Sequence, residues 1–292
     1  MKNFDYAAPT SLDVATSLLA GSTGPARLLA GGTDLLVQLR ERLRDAELVV
    51  DLKKIPQLME LSFTPSDGLR LGASVPCYRI YEDAGINAAY PALADATRIV
   101  GGWQIQSRAS VGGNLCNSSP AGDTIPPLIV LDARCQIVGP DGRRELRAEA
   151  FCTGPGTNVL QRGEILTTLV LPPPMPHAGS AYERFIPRNE MDIAVVGAAA
   201  WVSLDSPGEI IEHARIALAA VAPRPVLAVE ASRWLEGRPA TAETFARAGE
   251  LARQAASPIS DMRGTAEFRT HLVGVLVKRT LATAVQRARQ RH

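Results

Sequence analysis

The sequence predicts an α+β fold in two parts, and three observations carry that reading. Residues up to Leu171 alternate short apolar runs with stretches of helical spacing. The segment Leu171-Pro172-Pro173-Pro174-Met175-Pro176 then interrupts the pattern. Three longer apolar runs and two helical stretches follow it. Adjacent prolines cannot join a helix or a sheet interior, so this segment reads as an extended linker. The expected division is 1–174, itself split at about 1–55 and 56–174, and then 175–292.

The elements follow in order. Leu12, Ala15, Leu18 and Leu19 recur at helical spacing just after Pro9-Thr10-Ser11, a region able to cap a helix. Arg27 to Ala30 reads as a strand, Leu35 to Arg44 as a helix and Leu48 to Leu52 as a second strand, with a break at Pro56. Leu58 to Phe63 and Leu69 to Gly72 form an expected hairpin around the turn Pro65-Ser66-Asp67-Gly68. Ile86 to Val100 has helical spacing. Leu128 to Ala133, Cys135 to Gly139 and Ile165 to Leu171 read as strands, with a turn at Pro140-Asp141-Gly142. Beyond the linker, Ala181 to Ile186, Ala194 to Leu204 and Ile210 to Ala220 predict a three-stranded antiparallel sheet, its last two strands joined by Asp205-Ser206-Pro207-Gly208. Helices are expected near Glu243 to Ala256 and Ala266 to Arg289. Lys278, Arg279, Arg287, Arg289 and Arg291 make the last helix basic toward its end, which suits its dipole and solvation, or else an acidic partner.

Composition excludes several classes of function. The 292 residues are 46% hydrophobic and 21% charged, ordinary for a globular protein. A chain of this length buries roughly three quarters of its unfolded surface, enough for two cores. The 31 basic and 30 acidic residues leave a net charge of +1, so no global field favours nucleic acid or an anionic membrane. Aromatics at 5% argue against base-stacking platforms. No run reaches the roughly 20 apolar residues of a membrane span. Ile193 to Trp201 is too short and reads as a buried strand. The start Met1-Lys2-Asn3-Phe4-Asp5-Tyr6 lacks a basic segment leading an apolar run, so the expected location is cytoplasmic. Cys77, Cys116, Cys135 and Cys152 form no C-x-x-C pair and are expected to be reduced and packed. His177, His213, His271 and His292 share no metal-ligand spacing.

Two glycine-bearing loops are the strongest chemical signal. They are Ala30-Gly31-Gly32-Thr33-Asp34-Leu35 and Ser110-Val111-Gly112-Gly113-Asn114. Adjacent glycines let backbone N–H groups point into one hollow, where a side chain would block an anion. Each pair alone reads equally as a tight turn. Two such hollows suit a ligand with two linked phosphates. Neither loop has the G-x-G-x-x-G spacing of a Rossmann domain, and the G-x-x-x-x-G-K-[ST] pattern is absent. A dinucleotide here belongs in another fold.

These residues resemble the FAD-binding medium subunits of the molybdenum hydroxylases, the xanthine dehydrogenase and carbon monoxide dehydrogenase family, which also includes 4-hydroxybenzoyl-CoA reductase. The likeness begins at Phe4-x-Tyr6-x-x-Pro9-x-Ser11-Leu12. It continues through Ala30 to Leu35, Gln104 to Asn114, Gly163-Glu164-Ile165-Leu166, Tyr182-Glu183-Arg184, Asp192-Ile193-Ala194 and Asp261-x-Arg263-Gly264. The resemblance implies a two-subdomain FAD-binding domain of the PCMH, or vanillyl-alcohol-oxidase-like, type ahead of the three-stranded sheet. The extra iron–sulfur insertion of the 4-hydroxybenzoyl-CoA reductase subunit has no counterpart between Asp123 and Phe151.

The resemblance also implies a set of FAD contacts. Leu29, Ala30, Gly31, Gly32, Thr33, Asp34 and Leu35 face Ser110, Val111, Gly112, Gly113 and Asn114 across the pyrophosphate, and Ser118 belongs to the same site. Backbone N–H groups supply the nest, while Thr33, Ser110 and Asn114 add side-chain hydrogen bonds. A helix starting after Asp34 would turn its positive end toward the phosphates. Asp123 matches a position at the adenosine ribose; on the residues alone it reads as an Asx-turn before Pro126-Pro127. Leu166 matches an apolar position near the flavin and also reads as a core leucine. Arg184 matches a lysine of xanthine dehydrogenase at the pyrimidine edge of the flavin, and reads alternatively as a surface salt bridge. Arginine's planar fork is not equivalent to an ammonium. Ile193 stands where carbon monoxide dehydrogenase has a tyrosine shielding the flavin.

By the same resemblance the chain supplies no catalytic acid, base or nucleophile and binds no metal. Substrate would be hydroxylated at a molybdopterin-type molybdenum cofactor in a large partner subunit. Electrons would cross [2Fe–2S] clusters in a small subunit, reach this FAD and leave to an external acceptor, within a dimer of heterotrimers. The competing readings are a stand-alone flavin oxidoreductase and an assembly subunit whose nucleotide site has decayed.

Overall fold

The computed structural model describes residues 2–188 and 190–291. Met1 and His292, named above in the leader and histidine readings, lie outside the described residues. The chain opens with β1 (Asp5–Ala7), α1 (Leu12–Gly21), β2 (Ala26–Leu29), α2 (Leu35–Arg40) and β3 (Leu48–Asp51). The strands form a parallel sheet in the order β1-β3-β2. Ser11 caps α1, its hydroxyl accepting from the Val14 amide at 3.4 Å. α2 stops at Arg40 rather than Arg44, because the chain turns at Arg42 through φ +59°, a left-handed conformation that no helix of L-residues continues.

The second part begins with the expected hairpin, β4 (Leu61–Thr64) and β5 (Gly68–Gly72). Gly68 sits at φ +80°, and a Cβ there would meet the Leu171 carbonyl oxygen at 2.2 Å, so both the turn and the close packing require glycine. Six short helices follow: α3 (Cys77–Glu82), α4 (Ala84–Ala89), α5 (Pro91–Thr97), α6 (Trp103–Gln106), α7 (Val111–Asn117) and α8 (Ile125–Val130). Then come β6 (Arg134–Gly139), β7 (Gly142–Arg147), β8 (Cys152–Gly154), β9 (Thr157–Asn158) and β10 (Ile165–Leu171). An antiparallel sheet runs β4-β5-β10-β6-β7, and β8 pairs with β9.

Three sequence expectations are corrected here. Ile86 to Val100 is not one helix: Tyr90 leaves the helical region at φ −129°, ψ 62°, because the ring of Pro91 crowds the residue before it. Leu128 to Ala133 is not a strand but the end of α8 and the turn after it. α8 carries Pro126 and Pro127 in its first turn, where no backbone N–H is needed, and it is buried along its whole length. A short, wholly apolar run carries no period to separate the two structures. The second glycine segment is the start of helix α7 rather than an open loop.

The last part holds the three expected long strands, β11 (Ala178–Phe185), β12 (Val196–Leu204) and β13 (Ile210–Ala219), paired antiparallel. Two-residue strands β14 (Val226–Leu227) and β15 (Arg238–Pro239) extend the sheet beside β13. α9 (Val229–Leu235) and α10 (Ala242–Ala252) lead to α11 (Ala266–Arg289), whose Leu276, Leu281 and Val285 pack into a core with Val196, Val202 and Ile216. The basic end of α11 is stapled to the preceding part. Arg287 grips Asp95 of α5 at 2.6 and 3.0 Å. Arg291 donates to the carbonyls of Ala88 and Ala89. Asp95 also accepts from the Tyr182 amide at 3.1 Å, tying β11 to the same helix.

Candidate functional site

A cleft of about 540 Å3 lies between the parallel sheet and the helices of the second part. Its two walls are the glycine-bearing segments. Ala30, Gly31, Gly32, Thr33, Asp34 and Leu35, which connect β2 to α2, form one wall. Ser110, Gly112, Gly113 and Asn114, at the start of α7, form the other. The walls touch: a Cβ on Gly31 would lie 2.0 Å from the Arg108 carbonyl oxygen. One on Gly112 would meet the Ala73 backbone at 2.5 Å. Gly113 faces the gap itself, since its Cβ would meet only the Ser110 hydroxyl at 2.9 Å and the Ala30 methyl at 4.0 Å. Gly32 supplies the turn, at φ +78°.

The donors on these walls await an acceptor. Among the described residues, no carbonyl or side chain accepts from the N–H groups of Gly31, Gly32, Thr33 or Gly112. The Thr33 hydroxyl is equally free of partners among the described residues. Asn114 turns its carbonyl to the Thr124 hydroxyl at 2.8 Å, which leaves its amide NH2 to donate elsewhere. The Gly113 N–H donates to the Ser110 side chain at 3.0 Å, so Ser110 acts as a helix cap. Ser74 was not singled out in the sequence. It lines the cleft, is 2% exposed, and its buried hydroxyl has no partner among the described residues. Such an orphan calls for a ligand or an ordered water.

Charge favours an anion. Arg27, Arg44 and Arg162 line the cleft against Asp34 and Glu164. Glu164 is held by Arg144 at 2.6 and 2.7 Å, which pulls its carboxyl below the usual range. Asp34 moves the other way, because desolvation outweighs the attraction of Arg44. Desolvation first, and Arg44 second, lower the Arg27 guanidinium. Leu166 of β10 is 2% exposed yet lines the cleft, so it serves the core and the site together.

The other expected site residues lie outside the cleft lining. Leu29 is the last residue of β2, and Val111 is fully buried under the second wall. Ser118 ends α7 at φ 51°, its hydroxyl bonded to the Leu115 carbonyl at 2.9 Å. Asp123 and Arg184 are bonded to each other at 2.5 Å, with side chains only 10% and 5% exposed. The Tyr182 hydroxyl donates to the second oxygen of Asp123 at 2.8 Å, and Arg184 also holds the Ile99 carbonyl at 2.8 Å. Burial pushes the Asp123 carboxyl up to about 6 against the pull of Arg184 and Tyr182. The adenosine-ribose position expected of Asp123 and the flavin-edge position expected of Arg184 thus fall on two side chains bonded to each other.

Cys116 lines the cleft, and burial raises its thiol to about 12. Among the described residues no cluster of histidine, cysteine or carboxylate side chains could hold a metal ion. No helix among them is long and apolar enough to cross a membrane.

Comparison with known proteins agrees with this geometry. Residues 2–174 match the family described as FAD binding domain in molybdopterin dehydrogenase, and residues 180–284 match the CO dehydrogenase flavoprotein C-terminal domain. The xanthine dehydrogenase FAD-binding subunit of Escherichia coli O157:H7 is 34% identical, covering 98% of both chains. The carbon monoxide dehydrogenase medium chain of Hydrogenophaga pseudoflava is 31% identical over 96% of both. Among solved structures, CO dehydrogenase from Oligotropha carboxidovorans superimposes with a TM-score of 0.92 at 31% identity, covering 98% of this chain and 99% of that one. Quinoline 2-oxidoreductase from Pseudomonas putida 86 gives 0.90 at 31% identity, covering 99% of each.

Proposed function

The chain belongs to the FAD-binding medium subunits of the molybdenum hydroxylases, and on that footing we propose that the cleft holds FAD as the last relay of such a complex. One observation carries the reading. Two glycine-bearing walls present unpaired N–H groups across one gap, and the helices that run on from them, α2 and α7, are tied together by the Gln38 side-chain amide donating to Asn117 at 3.1 Å. Such a pair of hollows suits a diphosphate.

Bound FAD supplies the exchange between one-electron carriers and a two-electron acceptor. Everything else assigned to this chain is positioning. Gly31, Gly32, Thr33 and Gly112 would donate N–H groups to the diphosphate, with Thr33, Asn114 and Ser74 adding side-chain donors. Leu166 would present an apolar surface to the bound cofactor. The Asp123–Arg184 pair would hold Ile99 and, through it, Val100 at the cleft wall. Electrons would arrive from the [2Fe–2S] clusters of a small subunit, fed by a molybdenum cofactor in a large one. They would leave to an external acceptor. We place the division between the chain's two domains after Pro174.

The test is a visible spectrum and cofactor analysis of the protein purified at native level with whatever accompanies it. FAD with iron–sulfur absorbance, molybdenum and two further polypeptides supports the relay. FAD on a lone active polypeptide overturns the heterotrimer in favour of a self-sufficient flavoenzyme. A colourless protein that takes up no FAD points to an assembly subunit.

A further inference from the structure

Lys53 follows β3 and reaches back under the first wall. Its ammonium donates to the Ala30 carbonyl at 3.0 Å and to Asp51 at 2.7 Å. Asp51 is held in turn by the Tyr6 hydroxyl at 2.7 Å and by the Lys53 amide at 3.0 Å. These bonds outweigh burial, which is the largest single influence on Asp51, and keep its carboxyl below the usual range. The Lys53 side chain is 28% exposed and lies outside the cleft lining.

We infer that Lys53 is a positioning residue for the diphosphate: by pinning the Ala30 carbonyl it turns the Gly31 N–H toward the bound phosphates. The inference rests on the reading of the cleft as the FAD site. A trans peptide is planar, so its C=O and N–H point in opposite directions. The peptide between Ala30 and Gly31 therefore offers the cleft either a donor or an acceptor, never both. Glycine tolerates both orientations, so Gly31 does not choose between them. Lys53 holds the oxygen on the far side, and the Gly31 N–H has no acceptor among the described residues. A flipped peptide would set a carbonyl oxygen against an anion. Asp51 completes the device. An untethered ammonium would be drawn to the phosphates themselves, whereas Asp51 keeps it on the carbonyl.

The experiment uses the full chain, stripped of flavin, with FAD, ADP and adenosine as probes. Lys53→Met should weaken FAD and ADP at least about tenfold and adenosine less than about twofold, because only the phosphates read the peptide's orientation. Lys53→Arg, which still donates to the carbonyl, should recover most of the loss. Unchanged FAD and ADP affinity in Lys53→Met would overturn the inference. So would an equal loss for all three probes without recovery in Lys53→Arg, which marks general loosening. Gly113→Asp separates the two levels of the reading. If it loses FAD while Lys53→Met does not, the site stands and the role of Lys53 falls. If it also binds FAD normally, the site itself is misplaced.

Discussion

Gly31 packs directly on the carbonyl oxygen of Arg108, so closely that a single methyl group would lie 2.0 Å from it. The contact joins the two walls of the cleft and sets their separation. Gly31→Ala must push the walls apart or shift the backbone. It should cost about 1–3 kcal/mol in stability, the usual penalty of overpacking, and weaken FAD about tenfold or more. Denaturant unfolding and flavin fluorescence titration check the two effects. Unchanged affinity would mean that the spacing of the walls does not matter to the ligand.

Arg184 is locked to Asp123 in a nearly dry environment. Arg184→Ala leaves a buried carboxylate without its cation, a change that costs about 3–5 kcal/mol in comparable pairs. The double variant Arg184→Met with Asp123→Asn should recover much of that loss. Full stability in Arg184→Ala alone would show that the pair is not formed in solution.

Asp123 carries a pH signature. Its folded pKa of about 6 lies above the unfolded value near 4, so the native state binds its proton more readily than the unfolded chain. Its contribution to stability is greatest below about pH 4 and declines as pH rises to about 6. Asp123→Asn removes that decline. Between pH 4 and 6 the stability difference should therefore move in favour of the variant, and level off above. A shift in the opposite sense would place the carboxyl below its ordinary range, with Arg184 dominant over burial.

Much of the architecture was legible because long elements repeat their signal. α11 spans Ala266–Arg289 as read from its periodicity, and the three long strands after the linker were visible as apolar runs. The misreadings are short elements. Pro91 split one helical pattern, and the wholly apolar end of α8 imitated a strand. The glycine pairs announced two hollows, and the family resemblance set them on one ligand; the residues alone read equally as two separate turns. Pairs such as Asp123 with Arg184, 61 residues apart, and Lys53 with Ala30, 23 apart, are products of the tertiary fold. Ser74 left no signal, since an ordinary serine after a strand becomes notable only when its hydroxyl is found buried and unpaired.

Cys116 lines the cleft but should be chemically quiet. With burial, and secondarily Cys152, raising its thiol to about 12, it stays protonated at neutral pH, and the thiolate is the reactive form. Alkylation at pH 8 should be far slower than for a free cysteine, and Cys116→Ser should bind FAD within about twofold of the native chain. Rapid labelling that blocks flavin binding would instead make Cys116 a reactive element of the cleft.

The most direct test of the FAD site is equilibrium binding of FAD to the native chain and to Gly113→Asp. The substitution puts a side chain and a negative charge into the gap between Gly113 and Ala30, where a Cβ would lie 4.0 Å from the Ala30 methyl and 2.9 Å from the Ser110 hydroxyl, which must turn aside. The account predicts one FAD per native chain and a loss of about a hundredfold or more in the variant, with the fold retained by circular dichroism. A folded native chain that binds no FAD, or a variant that binds it equally well, would contradict the assignment of the cleft.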